Sequence, residues 1–389
     1  MSIILLVISL VLFIGLIVTH EFGHFIAARR GGVEIEEFGI FFPPRIYKHK
    51  TKAGWDFTIN LIPLGGFVKM KGEHDTDTEK GSFGVAPLWT KTKIMIAGIT
   101  MNLITALIMF TILALIGMPS LLPNQYTVKS NTKISRQETL ISQVEPGSPA
   151  AKAGLKAQDQ LTAIGLPGHT LETITTATNL PNITKSFAGK KVLVDYKQSG
   201  QSHQATVHLL AKSVVAASLK TNNPKGYLGV SPVAFTLRRS TWSAPIVAVG
   251  FSIQATVLTF QGLGHALGGL GSLIAGAFTG NTMARQNGQT SASSQVSGPI
   301  GIFEVLKDGS VLGYQFMLFI IAIIALTLAI MNLLPIPALD GGRLWITLVA
   351  RAFNRPLSAH VEEVVNATGF VILIGLSVVI AFVDIHRFF

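Results

Sequence analysis

Apolar residues run along this chain in long blocks rather than in stripes. Met1–His20 holds no Asp, Glu, Lys or Arg before its last residue and stays largely apolar to Ala28. Ile94–Met118, Gly309–Leu339 and Val364–Val383 are three further uncharged blocks. Each supplies the ~20 apolar residues that a helix needs to cross a bilayer, so the pattern predicts about four transmembrane helices. The first block lacks the basic start and small-residue cleavage site of a signal peptide. A fifth uncharged stretch, Trp242–Ala284, is interrupted by Gly250, Gly262, Gly264, Gly268, Gly269, Gly271, Gly276 and Gly280. Glycine weakens a free-standing helix, so this stretch is expected to be interfacial or partly re-entrant. The tract Asn287–Ser297 is polar and of low complexity, and reads as a flexible connection.

Between the second and third blocks the pattern changes. Residues 119–241 are far more polar, and Val192–Tyr196 and Ala205–Leu209 alternate as strands around Gly200. The run from Ile141 to Leu155, ISQVEPGSPAAKAGL, reads as strand, tight turn, short helix and glycine stop. Trp55–Lys71 also alternates, with a turn at Pro63–Gly66. The periodicities imply four regions: 1–118, a first membrane half; 119–241, a small α+β domain; 242–308, the glycine-rich segment; and 309–389, a second membrane half.

Composition agrees with the membrane. Only 13% of residues are charged, against about a quarter in soluble chains. The net charge of +11 is scattered in loops, which argues against a nucleic-acid surface. Eleven Lys and Arg fall between Arg29 and Lys93, and Arg343, Arg351 and Arg355 follow the third block. By the positive-inside rule these loops are expected in the cytoplasm, with both termini and residues 119–241 outside. Cysteine is absent, so a transition metal has only His and carboxylate ligands available.

Those ligands exist. His20-Glu21-Phe22-Gly23-His24 is H-E-x-x-H within the first apolar block. Residues i and i+4 share a helix face, so both imidazoles can grip one ion, and Glu21 can reach a water beside it. Ionisable groups in an apolar helix are costly and by default functional. Counted from Ile3, His20 lies ~26 Å along the helix, within the bilayer and near its cytoplasmic face. A catalytic zinc usually has three protein ligands and an open position. Candidates for the third are His265, Glu304, Asp308, Asp340, His360, Glu362 and Glu363. Asp340 stands out because it closes Asn332–Gly342, NLLPIPALDGG, where two prolines and two glycines break a helix at the level of His20.

H-E-x-x-H in the first span with N-x-x-P-x-P-x-L-D-G in a late one resembles the site-2 protease family of intramembrane zinc metalloproteases (peptidase family M50), in its bacterial RseP-like branch with a single PDZ domain. Pro63–Met70 is similar to the family's membrane-associated β-hairpin, Ala97-Gly98 with Asn102 to its second span, and Ser297–Gly301 to the segment before its third. Phe41–Pro44 departs from a run where glycine is usual, and Ile99 from a usual proline. Ile141–Ile164 and Gly226–Val230 resemble a PDZ domain in circularly permuted order.

The resemblance implies an α-helical polytopic membrane protein with a membrane-associated β-hairpin and an inserted, extracytoplasmic PDZ-like α+β domain. It implies Zn²⁺ held by His20, His24 and Asp340, Glu21 as general base and acid, and Asn332, Gly65 and Gly66 as substrate contacts, with Asn102 mainly structural. Location in a bacterial cell membrane follows, with the active site near the cytoplasmic face. The implied partners are the lipid bilayer and single-span substrates such as anti-sigma factors or remnant signal peptides. The residues alone leave two alternatives, a zinc transporter or metal chaperone and a non-catalytic membrane adaptor.

Overall fold

The computed structural model describes residues 2–388 apart from 75–76, 123, 220, 222–223, 280–282, 284–298, 310–311 and 354–357. The Asn287–Ser297 tract and the Ser297-Gly298 pair therefore lie outside the described residues. The chain forms two compact units: residues 1–111, 248–310 and 317–389, and residues 112–247 with 311–316.

The first unit is built on long helices: α1 (Ser2–Arg30), α2 (Leu88–Ile116), α6 (Ala244–Thr279), α8 (Tyr314–Leu333) and α10 (Ala359–Phe388), with the shorter α7 (Pro299–Gly309) and α9 (Asp340–Ala352) between them. Among the described residues five helical stretches are long and apolar enough to cross a membrane, where the hydropathy pattern predicts about four. The additional one is Ala244–Gly269, within α6. Its glycines do not interrupt it. In apolar surroundings a helix is the one local way to satisfy every backbone N–H and C=O, so glycine's cost in water loses its force. Ile3, Ile4, Val7 and Val11 of α1 are all more than half exposed, an arrangement suited to lipid rather than water. Phe110, Phe251 and Phe319 tie α2, α6 and α8 together, with ring centroids 4.9–6.0 Å apart.

The hairpin is less simple than its alternation suggests. β1 (Ile35–Lys50) and β2 (Asp56–Met70) each bend, and their pairing yields four segments. Residues 37–40 lie opposite 56–59 on one side and 66–69 on the other, while 45–50 pairs with 56–60. The order across the sheet is thus 66–70, 35–40, 56–60, 45–50. The bend in β1 falls at Phe41, whose φ of 68° is rare for a non-glycine residue. Among the described residues no strand pairs with the outer edge of 66–70. Phe25 of α1 anchors the sheet through Phe38 and Trp55, with centroids 5.6 and 5.0 Å away. Phe25 is one turn beyond Glu21 and shares its helix face, so the docking that buries Phe38 also brings β2 to Glu21. Between neighbouring segments a hydrogen bond from Lys48 holds the Asp56 carboxyl below its usual value, and one to Glu36 raises Lys69.

The second unit carries a seven-stranded sheet. Its strands are β3 (Met118–Pro119), β4 (Lys133–Val144), β5 (Gln160–Gly165), β6 (Glu172–Thr173), β7 (Lys191–Gln198), β8 (Gln201–His208) and β9 (Val230–Arg239). The order is β3-β9-β4-β5-β7-β8, with β6 against β5. The short helices α3 (Pro149–Lys152), α4 (Leu180–Ser186) and α5 (Lys212–Ser218) complete it. Val192 and Val194 are fully buried on alternate positions of β7, and Ile164, Leu161, Leu180 and Ile183 join them in one core. Ser199 and Gly200 both adopt positive φ in the turn between β7 and β8, the conformation that a two-residue hairpin loop demands. Ser148 caps α3 by accepting from the Ala151 N–H at 3.2 Å, and Pro149 opens the helix. Gly229 has φ +75°, and a Cβ there would come within 2.2 Å of Ser148 Cβ. Replacing Ile164, 0% exposed, by Ala is expected to cost about 2–5 kcal/mol. Limited proteolysis of the full chain should then cut within 112–247 well before it does in the parent.

Candidate metal centre

α1 places His20 and His24 one turn apart, and Asp340 opens α9 at the far end of the chain. Asp340 Oδ2 stands 3.0 Å from His20 Nε2 and 3.2 Å from His24 Nε2, and the two Nε2 atoms are 3.2 Å apart. Donors at about 2.05 Å from a tetrahedral zinc are spaced by ~3.3 Å, so the donor set fits such an ion. Among the described residues these three are the group of His, Asp and Glu side chains that could hold a metal. The other candidates behave differently. Glu362 pairs with Arg343 at 3.2 Å, His265, His360 and Glu363 are exposed, and the side chains of Glu304 and Asp308 lie outside the described residues.

For an imidazole to give a metal its Nε2 lone pair, its proton must sit on Nδ1. His24 Nδ1 lies 2.8 Å from the Ile94 carbonyl oxygen, an acceptor that enforces this tautomer. His20 Nδ1 lies 3.1 Å from the side-chain amide of Asn102. The amide carbonyl is the group that accepts a proton from Nδ1, so the metal-ready state has Oδ1 of Asn102 facing His20. Asn102, expected to be mainly structural, thus touches a metal-facing imidazole directly. A polar residue in a span is ambiguous by sequence because the same amide serves helix packing elsewhere.

Glycines set the approach. A Cβ on Gly98 would fall 2.4 Å from His24 Nε2 and 2.6 Å from His20 Cε1; one on Gly23 would fall 2.6 Å from the Ala97 carbonyl oxygen. α2 can lie against the two imidazoles only with hydrogen at both positions. Gly66 does the same for β2, where a Cβ would stand 2.9 Å from Glu21 Cγ. Gly65 instead accommodates the Phe42 ring, 2.7 Å from its ideal Cβ. Glu21, His24, Gly66, Val68, Asp340 and Arg343 are among the side chains around a cavity of about 210 Å³, room for several waters at ~30 Å³ each.

The turn that delivers Asp340 is held by backbone contacts. Ala338 adopts φ 72°, a left-handed conformation costly for alanine. Gly341 and Gly342 approach the Leu334 and Ile336 carbonyl oxygens so closely that a Cβ would stand 2.3 and 2.2 Å away. Gly369 of α10 packs equally closely on Pro337. Asn332, half-buried in the last turn of α8, has its carbonyl oxygen against Gly341. Arg343, which the sequence reading did not single out, lies one turn after Asp340. It donates to the Glu73 carbonyl oxygen, pairs with buried Glu362 and covers the Phe83 ring at 4.6 Å. It thereby fastens the loop after β2 to the helix that carries Asp340.

The chain matches the family described as peptidase family M50 over residues 8–376. It is 27% identical to a Clostridium perfringens chain named as a zinc metalloprotease, over 98% of both chains. It is 26% identical to the protease Eep of Enterococcus faecalis, covering 96% of this chain and 97% of that one. The zinc metalloprotease RasP of Geobacillus kaustophilus is 25% identical over 98% of this chain and 97% of its own.

Two substitutions test the geometry. Gly98→Ala puts a methyl group where the imidazole nitrogens converge, so the purified protein should carry clearly less zinc than the parent at unchanged helical content. Asn102→Ala removes the group that orients His20 and should weaken zinc affinity about 10–100-fold, measured by competition with a chelator.

Proposed function

From the premise that the chain belongs to peptidase family M50 and is a zinc metalloprotease, we propose that it cuts peptide bonds within or next to the transmembrane segments of single-span membrane proteins or of signal-peptide remnants. The observation that carries this reading is the placement of the His20, His24 and Asp340 donors beside Glu21 on an apolar helix long enough to span a bilayer. Counted back from Arg29, His20 lies nine residues in, ~14 Å along α1. That is deeper than a count from Ile3 gives, because α1 continues unbroken to Arg30. Read by the positive-inside rule, the basic ends of α1 and α2 belong to the cytoplasmic side, and on that reading the second unit belongs outside the cell.

Zinc, when bound by His20, His24 and Asp340, supplies Lewis-acid polarisation of the scissile carbonyl and brings the pKa of a water near neutrality. Glu21 lines the same cavity without belonging to the donor set. It takes the proton of the attacking water and returns it to the leaving amine. A helical substrate hides its carbonyls in i→i−4 hydrogen bonds, so it must be extended first. The free edge of segment 66–70 offers backbone partners for such a strand, and Gly66 sets that edge against Glu21. An extended substrate adds there as a fifth segment of the sheet. Gly66 and Gly65 then act through backbone clearance, and Asn332, whose carbonyl oxygen meets Gly341 in the Asp340 turn, is assigned the hydrogen bond to the substrate backbone.

The second unit is read as a PDZ-like domain in permuted order. The Gly226–Val230 run leads into β9, which pairs along one side with β4, while β3 covers Leu237 and Arg238 on the other. The remaining edge of β9 suits an extended peptide. Transport of zinc is less well supported, because a conduction path needs a series of metal-binding groups and, among the described residues, His20, His24 and Asp340 form the one such group.

The test is cleavage in proteoliposomes of a tagged single-span substrate with a trimmed outer domain. Glu21→Gln should retain zinc at the parent's stoichiometry and lose at least ~10²-fold in rate. Cleavage by Glu21→Gln at the parental rate would remove the assigned role.

A further inference from the structure

α1 and α2 run antiparallel where they touch, with Gly31 against Thr90 at one end and His20 beside Asn102 at the other. Between them lies a second groove of about 560 Å³, separate from the cavity at Glu21. Its ends differ in chemistry. Arg30, Thr90 and Lys93 line one, and Gly23, Ala97 and Met101 the other, with Ile26, Ala27 and Ile96 between them. Thr100, at the apolar end, already donates its hydroxyl to the Ile96 carbonyl oxygen at 2.8 Å.

The groove's two cations differ from the paired ones of the same unit, though Arg29, Lys50, Lys52 and Lys80 also lack a carboxylate partner among the described residues. Arg45, Lys48, Lys69, Lys71 and Arg343 each pair with a carboxylate. Among the described residues Arg30 and Lys93 pair with none, and both are exposed. The Lys93 ammonium lies 5.1 Å over the face of Trp89, itself 66% exposed. Tryptophan beside lysine at a helix end is the arrangement that sits at headgroup level. A soluble anion would use the two charges and leave the apolar floor empty. A ligand that fills the whole groove has a negative head and an apolar tail, and basic clefts between spanning helices on the cytoplasmic side suit such lipids.

We propose that this groove binds an anionic phospholipid, with its phosphate between Arg30 and Lys93 and an acyl chain along Ile26, Ala27, Ile96 and Met101. The proposal rests on the reading of α1 and α2 as membrane spans. From Arg30 to Gly23 is seven residues, ~10 Å of axis, so the upper part of one acyl chain is covered. Its floor is the contact of Gly23 with Ala97, the backbone directly behind the two imidazoles. The bound lipid wedges against the helix pair that packs around the His20 and His24 imidazoles.

The test uses the full chain purified in detergent and native mass spectrometry with dioleoyl-phosphatidylglycerol or dioleoyl-phosphatidylcholine. Arg30→Gln with Lys93→Gln should lower retained phosphatidylglycerol about tenfold and leave phosphatidylcholine unchanged. The same number of charges removed at Lys50 and Lys52 should change neither. Ala27→Leu keeps both cations but fills the apolar middle of the groove, and should also lower phosphatidylglycerol retention; it covers the case in which the double variant does not fold. Parental retention in both groove variants overturns the proposal, as does an equal loss in the Lys50 and Lys52 variant. Displacement of the lipid by glycerol 3-phosphate would show that a free phosphate suffices, and overturns it too. Lipid mass is read without any cleavage step, so failure here leaves the protease reading untouched.

Discussion

The close contact of α1 with α2 is the constraint on which the rest of the centre depends. A metal-binding pair one turn apart on a helix is useful only if the neighbouring helix leaves room for two imidazoles while still fixing them. Gly98 provides the room, and the Ile94 carbonyl and the Asn102 amide, on the same helix, provide the fixing. Both anchors act on Nδ1, which leaves Nε2 free toward Asp340. Gly23 repeats the device from the other side, so the two backbones approach across the motif itself. In a bilayer there is little hydrophobic drive between helices, and small residues that let backbones meet do much of the joining.

Much of this was legible in the residues. H-E-x-x-H announces itself because three ionisable side chains in an apolar helix have no bland explanation. Asp340 was legible through the prolines and glycines around it, since they mark a backbone that could not continue as helix. Ser148, Pro149 and Gly154 likewise spelled out a short capped helix. What escaped was whatever depends on a partner far away in sequence. Asn102 looks like any packing amide until His20 is placed beside it. Arg343 is a loop arginine until Glu73, Phe83 and Glu362 surround it. The continuity of α6 through its glycines was hidden for a different reason, because the propensity scale that penalises glycine in a helix is measured in water.

The bent hairpin shows how much a period-two pattern leaves open. Alternation predicts strands, and strands formed. It is silent on the second pairing of residues 37–40, which turns a hairpin into a four-segment sheet and makes 66–70 an edge. That edge meets Glu21 because Phe25, one turn along α1, is buried under the same sheet. The positions of Glu21 and of the strand are therefore both tied to the packing of Phe25 on Phe38 and Trp55. The same economy appears at Asp340, where α10 holds the Pro337 turn through Gly369 and needs no side chain to do it.

The third donor comes from a chain position 316 residues after His24. At ~5–20 residues per second, synthesis separates the two by on the order of 15–60 s. For that interval the helix with both imidazoles is already made while its carboxylate does not yet exist. A two-histidine site grips zinc far less firmly than the completed set, so the metal is captured only when the last helices arrive. Distributing the donors across the full length of the chain makes metal loading a report that both ends of the chain have been built and brought together.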